Sequence, residues 1–270
     1  MGSGDGGQRA AVLRSSLTGA SSAPTVVLLH GVGTTSWMWR RLVADLSGSL
    51  RVLTIDLPGH GENAATAWTS MADTVSRVAE VVRAVAPEGG HLVGLSLGGY
   101  VALDLAAEHP ELVLSATASG VNVLPFRRPG LMRAAGRVMS PFMTSRTMLK
   151  ANARALGVPP EDFDGYAAAA RSMAPGTFLS VGGELMDYAV PAAAGRSTSR
   201  VLAVAGGQEQ SLILQSLPRI AEAFVHGRAC IAPGVGHAWN AQAPELFAAM
   251  VRAQVSDSAL PAGLSPVASS

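Results

Sequence analysis

Three side chains far apart in the chain have the types needed to move an acyl group: a serine, a histidine and a carboxylate. Ser96 lies in Gly94-Leu95-Ser96-Leu97-Gly98, between the apolar run HLVGL and the helix-like stretch GGYVALDLAAEHP. A serine hydroxyl is a weak nucleophile unless a base takes its proton. A tight strand-to-helix turn exposes the hydroxyl at a helix N-terminus, where partial positive charge favours a developing anion. Gly94 and Gly98 would let the two backbones approach. The same residues also fit a plain turn with a buried serine. His237 follows a strand-like run and a glycine turn in PGVGHAWNAQAPELF, where it is a general base or a packing residue. Glu209 lies just past VLAVAGG, where its carboxylate would orient that base or simply be solvated. The run VVLL ends in His30-Gly31-Val32-Gly33, a loop able to aim a backbone N–H at a substrate oxygen.

These residues need a frame, and the chain alternates strand and helix signals. Short apolar runs rich in β-branched residues predict strands at 25–30, 51–56, 91–95, 112–119, 201–206 and 229–233. Helical stretches are expected at 36–47, at 69–87 with Val75, Val78, Ala79 and Val82 on one face, and at 98–110. Strands that are apolar along their length and alternate with helices indicate a parallel sheet covered on both faces. Residues 125–195 break the rhythm with helix-like pieces, prolines and no strand signal, so they are expected to form a helical insertion. The expected organisation is an N-terminal segment 1–20 whose first part is flexible, a core of 21–124 and 196–253, the insertion 125–195, and a tail 254–270 without fixed structure.

Composition narrows the function classes. The 270 residues are 48% hydrophobic and 14% charged, enough for one large buried core. A net charge of +1 gives no global field toward nucleic acid. Locally the balance differs: residues 126–154 carry seven cations and no acid, together with Met132, Met139, Met143 and Met148. The methionines would suit a bulky apolar ligand or pack the insertion onto the core. The cations would meet an anionic group or form a solvated face. Cys230 is the single cysteine, which excludes an intrachain disulfide or a multi-cysteine metal site. With no HExxH and no lysine-containing phosphate loop, no motif requires a metal or cofactor. No apolar stretch is long enough for a membrane span, no charged-then-apolar leader opens the sequence, and a cytoplasmic location is expected.

The order Ser96, Glu209, His237, the VVLLHG strand and loop, Asp56-Leu57-Pro58-Gly59-His60-Gly61 and the GVGH histidine together resemble the α/β-hydrolase family, in its ester-cleaving, serine-nucleophile members. The resemblance covers about residues 20–252. It implies an α/β fold with a mostly parallel central sheet, helices on both faces and a helical lid. It further implies Ser96 as nucleophile, His237 as base, and an oxyanion hole from the Val32 and Leu97 N–H groups beside the loop glycine Gly31. Glu209 takes the position of the acid, where the family commonly has aspartate, with Glu184 and Asp187 in reserve. Asp56 and His60 are implied to be structural. The implied function is a cofactor-free serine hydrolase that cleaves a carboxylic ester, thioester or lactone of a small hydrophobic acyl substrate. A serine at the elbow argues against the members that use aspartate there, haloalkane dehalogenases and epoxide hydrolases. The alternative is a non-hydrolytic protein of the same fold: a cofactor-free lyase, an acyltransferase or cyclase, or a ligand-binding receptor. A dinucleotide-binding reading of Gly31-x-Gly33-x-x-Ser36 with Asp56 lacks the third glycine and leaves Ser96 and His237 without a role.

Overall fold

The computed structural model describes residues 12–267. Eight strands form one sheet: β1 (Ser15–Thr18), β2 (Thr25–Leu29), β3 (Arg51–Ile55), β4 (Gly90–Leu95), β5 (Val113–Ser119), β6 (Arg200–Gly206), β7 (His226–Ala232) and β8 (Ser265–Pro266). Their order is β1-β3-β2-β4-β5-β6-β7-β8, with the six inner strands parallel and the two edge strands antiparallel to their neighbours. Strands β2 and β4 are buried at every position, because helices cover both faces of the sheet.

On the core lie α1 (Arg40–Leu46), α2 (Met71–Val85) and α3 (Leu97–Glu108). Helix α2 begins at Ser70, whose hydroxyl accepts from Asp73 N, and it presents Val75, Val78, Ala79 and Val82 to the core. Helix α3 is apolar nearly all round and buried from Leu97 to Ala107, as the central helix against the sheet must be. Between β5 and β6 come four helices and no strand: α4 (Pro129–Met139), α5 (Arg146–Leu156), α6 (Phe163–Arg171) and α7 (Thr177–Leu185). The chain closes with α8 (Ser211–Ala223), α9 (Trp239–Gln242) and α10 (Pro244–Ser256). No helix among the described residues is long and apolar enough to cross a membrane.

The chain runs from β2 outward to β3 and then returns past β2 to β4. The carboxyl ends of β2 and β4 are therefore neighbours at the point where the strand order reverses, the usual place for a site in an open parallel sheet.

The structure corrects one expectation. Residues 257–267 are not without structure: Asp257 caps α10 in the left-handed region at φ 53° and pairs with Arg200, Leu264 is buried, and β8 adds to the sheet edge. The apolar Leu260 and Leu264 packing on the sheet compensates for ordering this short segment. The expected flexibility of the first N-terminal residues lies outside the described residues.

Candidate active site

Ser96 occupies the turn between β4 and α3 with φ 53° and ψ −118°, a conformation that costs a non-glycine residue about 1–3 kcal/mol. Backbone bonds hold it there. Ser96 N donates to Ser119 O at 2.7 Å, Gly98 N to His30 O at 2.9 Å, and Gly99 N to Ser96 O at 2.8 Å. The flanking glycines are required by closeness rather than by dihedral angle. A Cβ on Gly94 would lie 2.0 Å from Gly98 O, and one on Gly98 would lie 2.0 Å from Leu29 O. Gly31 crosses over the turn so closely that its Cβ would lie 3.3 Å from Ser96 Cβ.

The loop after β2 is braced by two neutral histidines. His30 is fully buried; Leu57 N donates to its Nε2 at 2.9 Å, which leaves Nδ1–H to donate to Gly31 O at 2.8 Å. Burial lowers its pKa. His60 repeats the pattern, with Gly33 N donating to Nε2 and Nδ1–H donating to Pro58 O. Burial and the neighbouring His30 lower its pKa to about 3. The two rings meet edge to face at 4.9 Å. Asp56 anchors the far side of the loop by accepting from Ser36 N at 2.7 Å, Ser36 Oγ at 2.6 Å and Glu62 N at 2.9 Å. Burial pushes its pKa up, but these hydrogen bonds outweigh that and hold it below the usual carboxylate range. Among the described residues the N–H groups of Val32 and Leu97 donate to no acceptor.

Glu209 and His237 meet: His237 Nδ1 is hydrogen-bonded to Glu209 Oε1, and both side chains are largely buried. Their loops are zipped together at the ends of β6 and β7. Gly207 N donates to Ala232 O at 2.7 Å and Gln208 N to Val235 O at 2.9 Å. A Cβ on Gly206 would strike Gly236 O at 2.3 Å. Behind the histidine, Trp239 is buried against Phe247 with ring centroids 4.4 Å apart, and its Nε1 donates to Ser119 Oγ at 2.8 Å. In front, Ala238 N donates to Leu156 O at 2.8 Å, so the end of α5 holds the histidine loop as well.

Gly120 was not legible as a site residue. It follows β5 with φ 67°, and a Cβ there would lie 2.7 Å from His237 Cε1 and 3.1 Å from Glu209 Oε1. The glycine leaves room for a pair whose acid is one methylene longer than aspartate.

Ser96, His237, Gly31 and Val32 line a cavity of about 290 Å³. Its far wall comes from the helical segment, chiefly Met143, Leu149, Tyr166, Met173 and Phe178, and it is mostly apolar. The charged residues lining the cavity, Arg40 of α1 and Asp162 of the helical segment, are ion-paired; Arg41 also bonds Asp162, and Arg40 stacks 4.1 Å over Trp37. Of the four methionines singled out in the segment, Met143 lines the cavity, while Met132 and Met139 are exposed to solvent. None of its seven cations lines the cavity. Glu184 and Asp187 stand elsewhere: Glu184 Oε2 accepts from Met71 N and Asp187 pairs with Arg133. No group of three or more metal-ligating side chains is gathered among the described residues.

A strained serine over an apolar cavity, a histidine oriented by a carboxylate and two unused N–H groups can perform acyl transfer. Comparison with known proteins agrees with this architecture. An 88-residue stretch is 42% identical to the pimeloyl-(acyl-carrier protein) methyl ester esterase of Aeromonas hydrophila, covering 33% of this chain and 34% of that one. A stretch of 101 residues is 38% identical to Esterase Rv0045c of Mycobacterium tuberculosis, covering 37% and 33%. The match thus spans about a third of the length of these curated relatives. Among solved structures, the enol-lactonase of Burkholderia xenovorans LB400 superposes with a TM-score of 0.74 at 19% identity, over 90% of this chain and 96% of that one. A thermophilic esterase of Thermogutta terrifontis gives 0.76 at 17%, over 91% and 93%. The model of the alpha/beta hydrolase family matches residues 26–250, and the chain belongs to that family.

Proposed function

We propose that the chain is a serine hydrolase that cleaves a carboxylic ester, thioester or lactone through an acyl-enzyme on Ser96. The observation that carries this reading is that Ser96, His237 and Val32 line one apolar cavity while Glu209 holds the other nitrogen of the histidine. His237 Nε2 takes the Ser96 proton as Oγ attacks the substrate carbonyl. Glu209 fixes the tautomer and stabilises the imidazolium that forms. The oxyanion accepts from the Val32 and Leu97 N–H groups, each such donor lowering the barrier by about 3 kcal/mol. His237 returns the proton to the leaving alcohol or thiol. Water, activated by the same histidine, then hydrolyses the acyl-enzyme and regenerates Ser96. The helical segment between β5 and β6 acts as the lid of the cavity, and the apolar wall that its helices α5, α6 and α7 supply, without α4, favours a hydrophobic acyl group. The ester-cleaving names of the relatives support the same bond class. The lone, buried Cys230 is in keeping with a cytoplasmic enzyme.

The test is turnover of p-nitrophenyl esters of increasing acyl length by the wild type, Ser96→Ala and His237→Ala. The wild type is expected to turn over several of them, and either variant to lose at least about 10³-fold in kcat/KM. Turnover that survives Ser96→Ala contradicts the mechanism. Intact binding of apolar acyl compounds without any turnover would favour the ligand-binding alternative.

A further inference from the structure

The net charge of +1 conceals a separation. Residues 126–154 hold seven cations and no acid, so the rest of the chain carries −6. Arg133 is paired with Asp187, but Arg127, Arg128, Arg137, Arg146, Lys150 and Arg154 form no ion pair among the described residues. The same stretch concentrates exposed apolar surface. Of nine large apolar side chains exposed among the described residues, five lie within it: Leu131 (63%), Met132 (41%), Val138 (70%), Met139 (39%) and Phe142 (59%).

Helix α4 explains the concentration. It has no buried residue. Arg133 bonds Gly183 O and Asp187, and Gly136 approaches Leu179, so the side bearing these two residues rests on α7. At 100° per residue Leu131, Ala135 and Val138 lie on the opposite side. The helix is amphipathic, and it turns its apolar side outward. An apolar helix face in water is unfavourable unless something covers it.

We infer that α4 and the turn after it form a docking surface for an anionic lipid bilayer. An outward apolar face with exposed, unpaired cations near it in the chain, Arg127 and Arg128 just before the helix and Arg137 within it, has the composition of an interfacial helix, whose side chains enter the acyl boundary while its cations meet the headgroups. The charge separation turns this end toward an anionic surface and the remaining −6 away from it. A second copy of the chain is a poor occupant, because a two-fold contact would bring unpaired cations onto cations. Phe142 is followed by Met143 and Thr144, which line the cavity, so a docked molecule would hold the cavity wall beside a store of apolar acyl compounds. This last point rests on the proposed hydrolase reading; the docking itself does not.

The test is co-sedimentation of the full chain with vesicles of phosphatidylcholine alone and with about one-third phosphatidylglycerol. Two variants accompany it: Leu131→Asp with Val138→Asp, and Arg127→Gln with Arg128→Gln and Arg137→Gln. Solution turnover of a short ester is read separately and is expected to stay unchanged in both, since none of these five residues lines the cavity. Its absence in every form would count against the hydrolase reading alone. The wild type is expected to partition at least about tenfold more strongly to the anionic vesicles, and less as salt rises above about 0.1 M. At about fivefold per cation, the arginine variant should lose about a hundredfold, and the aspartate variant should lose comparable affinity. Absent binding, equal binding to both vesicle types, or binding that both variants leave intact would overturn the proposal. So would a dimer that the variants abolish, or a complex with a soluble acidic carrier protein formed in place of vesicle binding.

Discussion

The turns at the carboxyl ends of β2, β4, β5, β6 and β7 and the helices between β5 and β6 are built on opposite terms. In the turns, backbone lies against backbone. Gly94 against Gly98, Gly98 against Leu29 and Gly206 against Gly236 leave no room for a methyl group. Buried histidines and Asp56 use nearly all their hydrogen-bonding capacity on the adjoining loops. In the helical segment the outer parts are loose: α4 buries nothing, and Gly130, Gly182 and Gly183 have no atom within 4 Å of an added Cβ, whereas Gly165 of α6 lies against Trp37 on the inner side. Reacting atoms must keep their geometry to fractions of an ångström, and interlocked backbone supplies that. In the proposed reading, the features that would select an acyl group or a surface are side chains on helices, which can change without unfolding the core.

The contrast can be broken at several points. The largest expected effect is on chemistry: Glu209→Gln should fold normally yet lose about 10³- to 10⁴-fold in kcat, because an amide does not fix the tautomer or stabilise the imidazolium. Steady-state ester kinetics with circular dichroism reads both. Next, Gly98→Ala should cost about 3 kcal/mol or more by denaturant titration, since its Cβ meets the Leu29 carbonyl and cannot be relieved by a rotamer change. A loss under about 1 kcal/mol would mean that the turn yields where the structure has it locked.

A smaller effect concerns the seam between the two regions. Asp104 on α3 accepts from Tyr188 Oη, beyond α7, at 2.7 Å. Burial raises its pKa from 3.8 to about 7, against the Tyr188 hydrogen bond and with repulsion from Glu108. Between those values the folded state holds a proton that the unfolded state releases, so this group makes the protein less stable as pH rises through the window. Asp104→Asn, which can still accept from Tyr188, should gain on the order of 2 kcal/mol over wild type at about pH 8 and lose that advantage near pH 4. Melting curves across pH measure it. The smallest effect belongs to the helical side. Gly182→Ala within α7 should stabilise by about 0.5–1 kcal/mol and leave ester turnover unchanged.

The parallel core was legible because buried strands carry unbroken apolar runs and their turns carry glycine. Ser96, Glu209 and His237 could be placed at strand ends for the same reason. What escaped has physical causes too. Strand β1 is SSLT with every residue exposed, and β8 is two residues long. Helix α8 contains Pro218, which disguises its periodicity. Gly120 could not be recognised because its neighbours, His237 and Glu209, reach it only through the fold. The outward apolar face of α4 was hidden because periodicity reveals that a helix has two sides, not which one meets the protein.

The most direct measurement is mass spectrometry of the intact and digested protein after treatment with a fluorophosphonate, beside Ser96→Ala and Ser119→Ala. The account predicts one adduct, on the peptide carrying Ser96, which persists in Ser119→Ala and is absent in Ser96→Ala. An adduct on another residue, or none on a folded protein, would contradict the claim that Ser96 is an activated nucleophile.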